Sequence, residues 1–236
     1  LHNYTLPFTR FQFVLSPLYA TKSKQFNGIG RMSYSFYPGN RGQRLELAVA
    51  GASFSGDNFT DSAGVVHPQR FTKIAPSVKY FFANKNPRST LTKFIQWRTF
   101  LIREQSLLFT RDTINQIDII RFPNKDRYLN QLRFVIENNR VLYPYRGELQ
   151  ADQGDGFVRL GFTGNYFFNY PRGGGLDLRV FAGKFFYLGD RTFLKQFETD
   201  PYQLNMTGPK GYEDYSYSNY FIGRNEFDRF SSQQIM

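Results

Sequence analysis

The chain has 236 residues, thirty Lys and Arg against nineteen Asp and Glu, 41% hydrophobic and 19% aromatic residues, and no Cys. Its length suffices for one sizeable domain, and its aromatic content excludes a disordered chain. The lack of Cys removes disulfides, thiolate metal sites and Cys nucleophiles together, and no run of about 18 apolar residues is present to form a membrane-spanning helix. Spanning strands stay open.

Leu1 is preceded by no Met and followed by no basic-then-apolar leader, so the expectation is a segment of a longer protein or a processed product. From there, alternation of period two replaces helical spacing almost everywhere, and it predicts strands. The first falls at Arg10 to Leu18. In the next, Met32, Tyr34 and Phe36 share one face against Arg31, Ser33 and Ser35. A third follows at Leu45 to Phe54. Ile74, Pro76, Val78, Tyr80 and Phe82 then oppose Lys73, Ser77 and Lys79. In Lys93 to Arg103, the two cations flank Ile95, Trp97 and Leu101 on one face, with Phe94, Phe100 and Ile102 on the other. Tyr128, Leu132, Phe134 and Ile136 oppose Arg127, Gln131, Arg133 and Glu137. After a strand at Tyr145 to Asp152, Val158, Leu160, Phe162, Tyr166 and Phe168 oppose Arg159, Thr163 and Asn165. Leu176, Leu178, Val180 and Ala182 oppose Asp177, Arg179 and Gly183, and a last strand is read at Tyr215 to Arg224. Pro17 and Pro76 each remove a ladder donor, so they require an edge, a strand end or a bulge.

Connections alternate in length. Turn compositions occur at Pro38-Gly39-Asn40-Arg41-Gly42, Asn84-Lys85-Asn86-Pro87-Arg88, Asn138-Asn139-Arg140 and Tyr170-Pro171-Arg172-Gly173-Gly174. Between them fall long loops near 55–68, 104–125 and 188–211, with Gln153-Gly154-Asp155-Gly156 as the short exception. An antiparallel meander with one short end and one long end follows, the asymmetry of outer-membrane barrels. The expected fold is therefore all-β: one domain over 1–236, an antiparallel up-and-down transmembrane barrel of about 8–12 strands, or a portion of a larger one. A soluble aromatic-rich β domain with its apolar face turned inward is the competing architecture, because alternation alone does not orient the faces.

In the barrel, Met32, Tyr34, Phe36, Ile74, Val78, Tyr80, Trp97, Phe134, Ile136, Leu160, Phe162, Leu178 and Val180 face lipid. Arg31, Lys73, Lys79, Arg98, Arg133, Glu137, Arg146, Glu148, Arg159, Asp177 and Arg179 face the lumen. Arg supplies twenty of the thirty basic residues, and a guanidinium satisfies several acceptors in a confined polar interior. Paired with Glu46, Glu137, Glu148, Asp152 and Asp177, these cations would form a charge ladder filling a narrow barrel. The alternative is a small anion-preferring pore.

Chemistry is sparse. His2 and His67 stand 65 positions apart without a His-Glu-x-x-His context, so no metal site is expected, and neither Gly28-x-Gly30 nor Gly173-Gly174-Gly175 forms a nucleotide loop. Asp57, Asp61 and His67 fall in one long loop, where a His held by a carboxylate could act as a base; a solvated loop explains them equally. No cofactor and no catalytic residue is expected. Basic charge with interleaved rings is compatible with nucleic-acid binding, but the basic residues are spread over most strands rather than gathered on one stretch, so no nucleic-acid partner is expected. Outer-membrane lipid and lipopolysaccharide are the expected partners, with Arg111, Lys125, Lys195 and Lys210 as loop candidates.

Near the C-terminus come Gly211-Tyr212-Glu213-Asp214-Tyr215, Tyr220-Phe221-Ile222-Gly223-Arg224-Asn225-Glu226 and Ser232-Gln233-Gln234. With Phe71-Thr72-Lys73-Ile74-Ala75-Pro76 and Gly28-Ile29-Gly30, this resembles the membrane-barrel region that follows an aminopeptidase-N-like (gluzincin) zinc peptidase domain in Bacteroidota proteins. The resemblance implies the bacterial outer membrane as location, and a barrel that anchors or scaffolds a neighbouring domain or partner, periplasmic or at the surface. It also implies a peptidase module N-terminal to Leu1. The peptidase's zinc ligands and catalytic Glu have no matching position here, and Met236 stands where many such barrels carry an aromatic residue, which leaves room for further strands.

Overall fold

The computed structural model describes residues 1–6, 9–21, 24–39, 42–61, 64–86, 88–112 and 117–189. The strand read at Tyr215 to Arg224, the loop near 188–211 beyond Gly189, Lys195, Lys210 and the C-terminal segments carrying the family resemblance lie outside these residues, as do the side chains of Asp57 and Arg111.

The described residues form eleven strands and no helix: β1 (Phe11–Ala20), β2 (Gln25–Phe36), β3 (Gly42–Thr60), β4 (Val66–Phe82), β5 (Leu91–Gln105), β6 (Leu108–Asp112), β7 (Ile117–Arg121), β8 (Asn124–Asn138), β9 (Tyr145–Gly154), β10 (Phe157–Asn169) and β11 (Gly175–Tyr187). Nine of them make one antiparallel up-and-down sheet in the order β1-β2-β3-β4-β5-β8-β9-β10-β11, and β6 and β7 form a separate hairpin between β5 and β8. The all-β meander therefore stands. β1 and β11 are not paired with each other among the described residues, so a closed barrel is not seen.

Several strands outrun their predicted lengths. β3 and β4 continue to Thr60 and start at Val66, which reduces the 55–68 loop to a short connection braced by Asp61. There, Val65 N donates to Asp61 Oδ1 at 2.8 Å, and Asp61 N donates to Val65 O at 3.0 Å. The 104–125 loop likewise resolves into the end of β5, the β6–β7 hairpin and the first residues of β8. Lys125 thus lies in a ladder opposite Glu104 rather than in a loop. The β3–β4 extension is rich in Ser, Gly, Asp and Asn, and the β6 and β7 strands, though they hold Leu108, Phe109, Ile117, Ile119 and Ile120, are five residues each without strict alternation, so neither carries the pattern that marks a half-buried strand.

Turns obey their chemistry. Gly154 pairs with Phe157, leaving the two-residue turn Asp155-Gly156, whose Gly156 has φ +73°. At the other end Gly173 and Gly174, with φ +94° and +79°, close β10 onto β11. Pro17 sits in the edge strand β1. Pro76 sits inside the sheet, where β4 keeps one register with β5 from Phe71↔Glu104 to Phe81↔Phe94 but loses the pairs at Ala75 and Pro76. The missing donor opens the ladder locally without shifting it.

The two faces of the sheet are unequal. Phe54, Phe71, Phe94, Phe100, Ile102, Leu129, Val135 and Phe157 are buried, and all project to one side. Leu129 and Val135 are 0% exposed. A single layer of nine strands buries one face this completely by curling around it; we call it the inner face.

Candidate functional site: an apolar outer face over an ionic inner face

Antiparallel register fixes which side chains share a face, because directly paired residues point the same way. Met32, Val49 and Pro76 are paired in sequence, as are Tyr34, Leu47, Val78, Trp97 and Leu132. The second row continues through Ala151 to Leu160. By the same register Phe36, Ile74, Tyr80, Phe134, Ile136, Phe162, Leu178 and Val180 lie on this outer face. Most are exposed, among them Met32, Ile74, Trp97 and Val180, whereas Tyr80, Phe134 and Ile136 are half-buried by outer-face neighbours.

All nine strands contribute large exposed apolar groups to this face, from Phe11 on β1 and Leu47 on β3 to Leu149 on β9 and Phe186 on β11. At about 4.8 Å per strand and an apolar height of about 25 Å, such a band covers roughly 1,000 Å². That exceeds the few hundred Å² ordinarily left exposed on a water-soluble monomer. Rings gather toward the short-turn end: Tyr34 against Phe36 at 4.7 Å, Tyr80 against Phe82 at 5.1 Å and Phe168 against Tyr170 at 6.1 Å between centroids. Toward the other end the band stops at Leu101 and Tyr128. The next outer-face pair is Arg103 and Asp126, joined by two bonds of 2.7 and 2.9 Å. The hydrogen bond from Arg103 holds the Asp126 carboxyl below the ordinary carboxylate range.

Opposite this band, the inner face carries the charges. Arg31, Lys73, Lys79, Arg98, Arg133, Glu137, Arg146, Glu148, Arg159, Asp177 and Arg179 all project to that side. Arg159 and Asp152 form a fully buried ion pair of 2.5 Å, and Gln131 and Gln150 donate to the same carboxylate at 2.9 and 2.8 Å. Arg98 Nε donates to Gln131 Oε1 at 3.0 Å, which ties β5 into this network. Arg133 reaches Glu148 at 2.7 Å, while Arg146 bridges Glu137 and Glu148 at 2.8 Å each. Arg31 is hydrogen-bonded to Glu46, and Arg127 to Glu104. Asp177, opposite Phe167 in the ladder, has no ion pair with a described residue, and with Arg179 it is exposed on β11, at the edge of the sheet.

Sequence reasoning missed the apolar half of the inner face. Phe54, Phe71, Phe100, Ile102, Leu129 and Phe157 form one cluster toward the end bearing the β3–β4 and β6–β7 hairpins, and Phe185 and Tyr187 pack against it. The available signal was Phe94, Phe100 and Ile102 falling opposite Trp97, a break in the polar pattern. A half-open pocket of about 30 Å³, lined by Glu148, Gln150, Asp152, Arg159, Thr163 and Phe181, adjoins the ionic network and has room for water.

Of the loop residues considered for catalysis, Asp61 and His67 are brought together, with Nε2 2.8 Å from Oδ2. The His67 ring stacks on Phe122 at 5.2 Å, and Phe59 meets Phe109 edge-on at 5.4 Å. These rings clamp the β6–β7 region against the β3–β4 hairpin. Among the described residues, no three His, Asp or Glu side chains are grouped to hold a metal ion.

Comparison with protein-family models, curated proteins and solved structures gave no match.

Proposed function

We propose that this chain is an outer-membrane β-barrel, or the greater part of one, that anchors a neighbouring domain or partner at a bacterial outer membrane. The observation that carries the reading is the inversion of the two faces: the exposed face is apolar across all nine strands, and the sheltered face holds the ion pairs. Water would impose the reverse, since burying ionised groups while exposing hydrocarbon is unfavourable. In lipid the same arrangement is favourable, as each apolar side chain transferred contributes about 1.5–3 kcal/mol. Ion pairs and the Phe54–Leu129–Phe157 cluster occupy the interior, which favours an anchor over a wide conduit. The similarity of Phe221-Ile222-Gly223-Arg224-Asn225-Glu226 to barrels that follow zinc peptidases suggests such a domain as the anchored neighbour.

The test is whether the purified chain needs detergent and, once refolded, migrates differently on a gel before and after boiling. A heat-sensitive band is the expected result. A monodisperse monomer in plain buffer overturns the reading.

A further inference from the structure

The inner face near the short-turn end holds more positive charge than its own carboxylates can match. One register row runs Ser35, Glu46, Lys79, Gln96, Arg133 and Gln150 across six strands. Glu46 is the shared carboxylate of its first half. Arg31 is hydrogen-bonded to it, Arg44 Nη2 lies 3.6 Å away, and Lys79 is within its electrostatic reach. Arg133 is paired with Glu148, but that carboxylate also serves Arg146. Arg31, Arg44, Lys79, Arg133 and Arg146 thus face Glu46, Glu137 and Glu148, an excess of two positive charges.

Aromatic rings, besides carboxylates, hold two of these cations. The Lys79 ammonium lies over the rings of Phe81 and Phe94, 4.6 and 3.8 Å from their centroids, and the Arg44 guanidinium lies over Phe81 at 4.1 Å. Aromatic faces position a cation without consuming its charge, leaving its remaining donors available. Arg44 Nε is buried and has no acceptor, and a buried donor left unpaired is costly.

We propose that Arg31, Arg44, Lys79 and Arg133 form an oxyanion site for a doubly charged tetrahedral group of the phosphate type. Guanidinium forks match two of its oxygens at once, the ammonium supplies a point charge, and two negative charges balance the excess. The inference concerns the inner face alone and stands whether that face lines a barrel or a soluble shell.

Inorganic phosphate titrated calorimetrically into the full chain, refolded in dodecyl maltoside and phosphate-free buffer, tests it. Binding that weakens with added salt is expected. Arg44→Gln and Lys79→Gln should each weaken it about tenfold, Glu46→Gln should tighten it, and Arg179→Gln, at the sheet edge, should leave it unchanged. If a glutamine variant fails to refold, Arg44→Lys keeps the charge though not the fork, and should weaken binding by less than about threefold. A second arm replaces phosphate with phosphatidic acid in the micelles. Response to the lipid alone would assign the phosphate group to a headgroup, and response to free phosphate to a solute. No response to either by a chain that gives the heat-sensitive band overturns the site and leaves the barrel standing, as does equal affinity in all four glutamine variants. Phosphate binding by a detergent-independent monomer supports the site while overturning the barrel.

Discussion

Asp152 and Arg159 face each other from neighbouring strands with side chains 2% and 4% exposed. Such a pair contributes little net stability when complete, yet removing one partner strands a buried charge. Arg159→Met is therefore expected to cost about 3–5 kcal/mol, read as a lower urea midpoint for loss of the heat-sensitive band. The double variant Arg159→Met with Asp152→Leu should recover part of that loss, because no charge is then left alone although Gln131 and Gln150 each lose an acceptor. Gly154 sets a second constraint at this scale: a Cβ there would meet Phe157 Cε1 at 2.4 Å. Phe157 folds across that glycine into the cluster containing Leu129. Gly154→Ala should displace the ring and destabilise the fold by about 1–3 kcal/mol, the range for overpacking. That such cations meet Asp152 on one face was legible beforehand; which Arg does so, and that Phe157 crosses Gly154, is decided by pairing between strands.

Strand alternation is local and was readable, and so the strands through Leu176 to Gly183 and the common side of the charged residues named in them were accessible from sequence. Extent and register were not. The β3–β4 extension is largely polar and the β6 and β7 strands are five residues each without strict alternation, so nothing in their pattern separates them from loops. Phe100 and Ile102 blurred the reading of β5 because an inner face that is half ionic and half apolar gives two apolar sides over part of one strand. Pro76 shows the opposite case, a residue whose consequence was legible while its location in the sheet was not. Its missing N–H leaves the β4–β5 ladder unpaired over Ala75 and Pro76 while the register persists on either side. Pro76→Val restores a donor at an outer-face position already flanked by Val49. It is expected to stabilise the sheet by about 0.5–1.5 kcal/mol, measurable as a higher urea midpoint in detergent.

For the whole molecule, the question is which face meets hydrocarbon, and paired substitutions on one strand can answer it. Leu160 and Thr163 lie close together on β10 but on opposite faces: Leu160 is exposed among Ala151 and Lys184, and Thr163 stands opposite Glu148. If the outer face contacts lipid, Leu160→Arg places a cation in the apolar band at a cost of about 2–4 kcal/mol near the bilayer midplane. Thr163→Arg adds a cation beside a carboxylate and should be tolerated far better. The expected measurement is a large drop in the folded fraction on insertion of the Leu160 variant into lipid vesicles, with the Thr163 variant near the parent chain. A water-soluble fold predicts no such drop. There, Leu160→Arg exchanges an exposed apolar group for a hydrated one, while Thr163→Arg meets the same inner face, beside the pocket at Arg159 and Phe181, under either reading and serves as the reference. Because the two readings differ in the Leu160 variant and share the Thr163 reference, the comparison does not depend on the absolute efficiency of refolding.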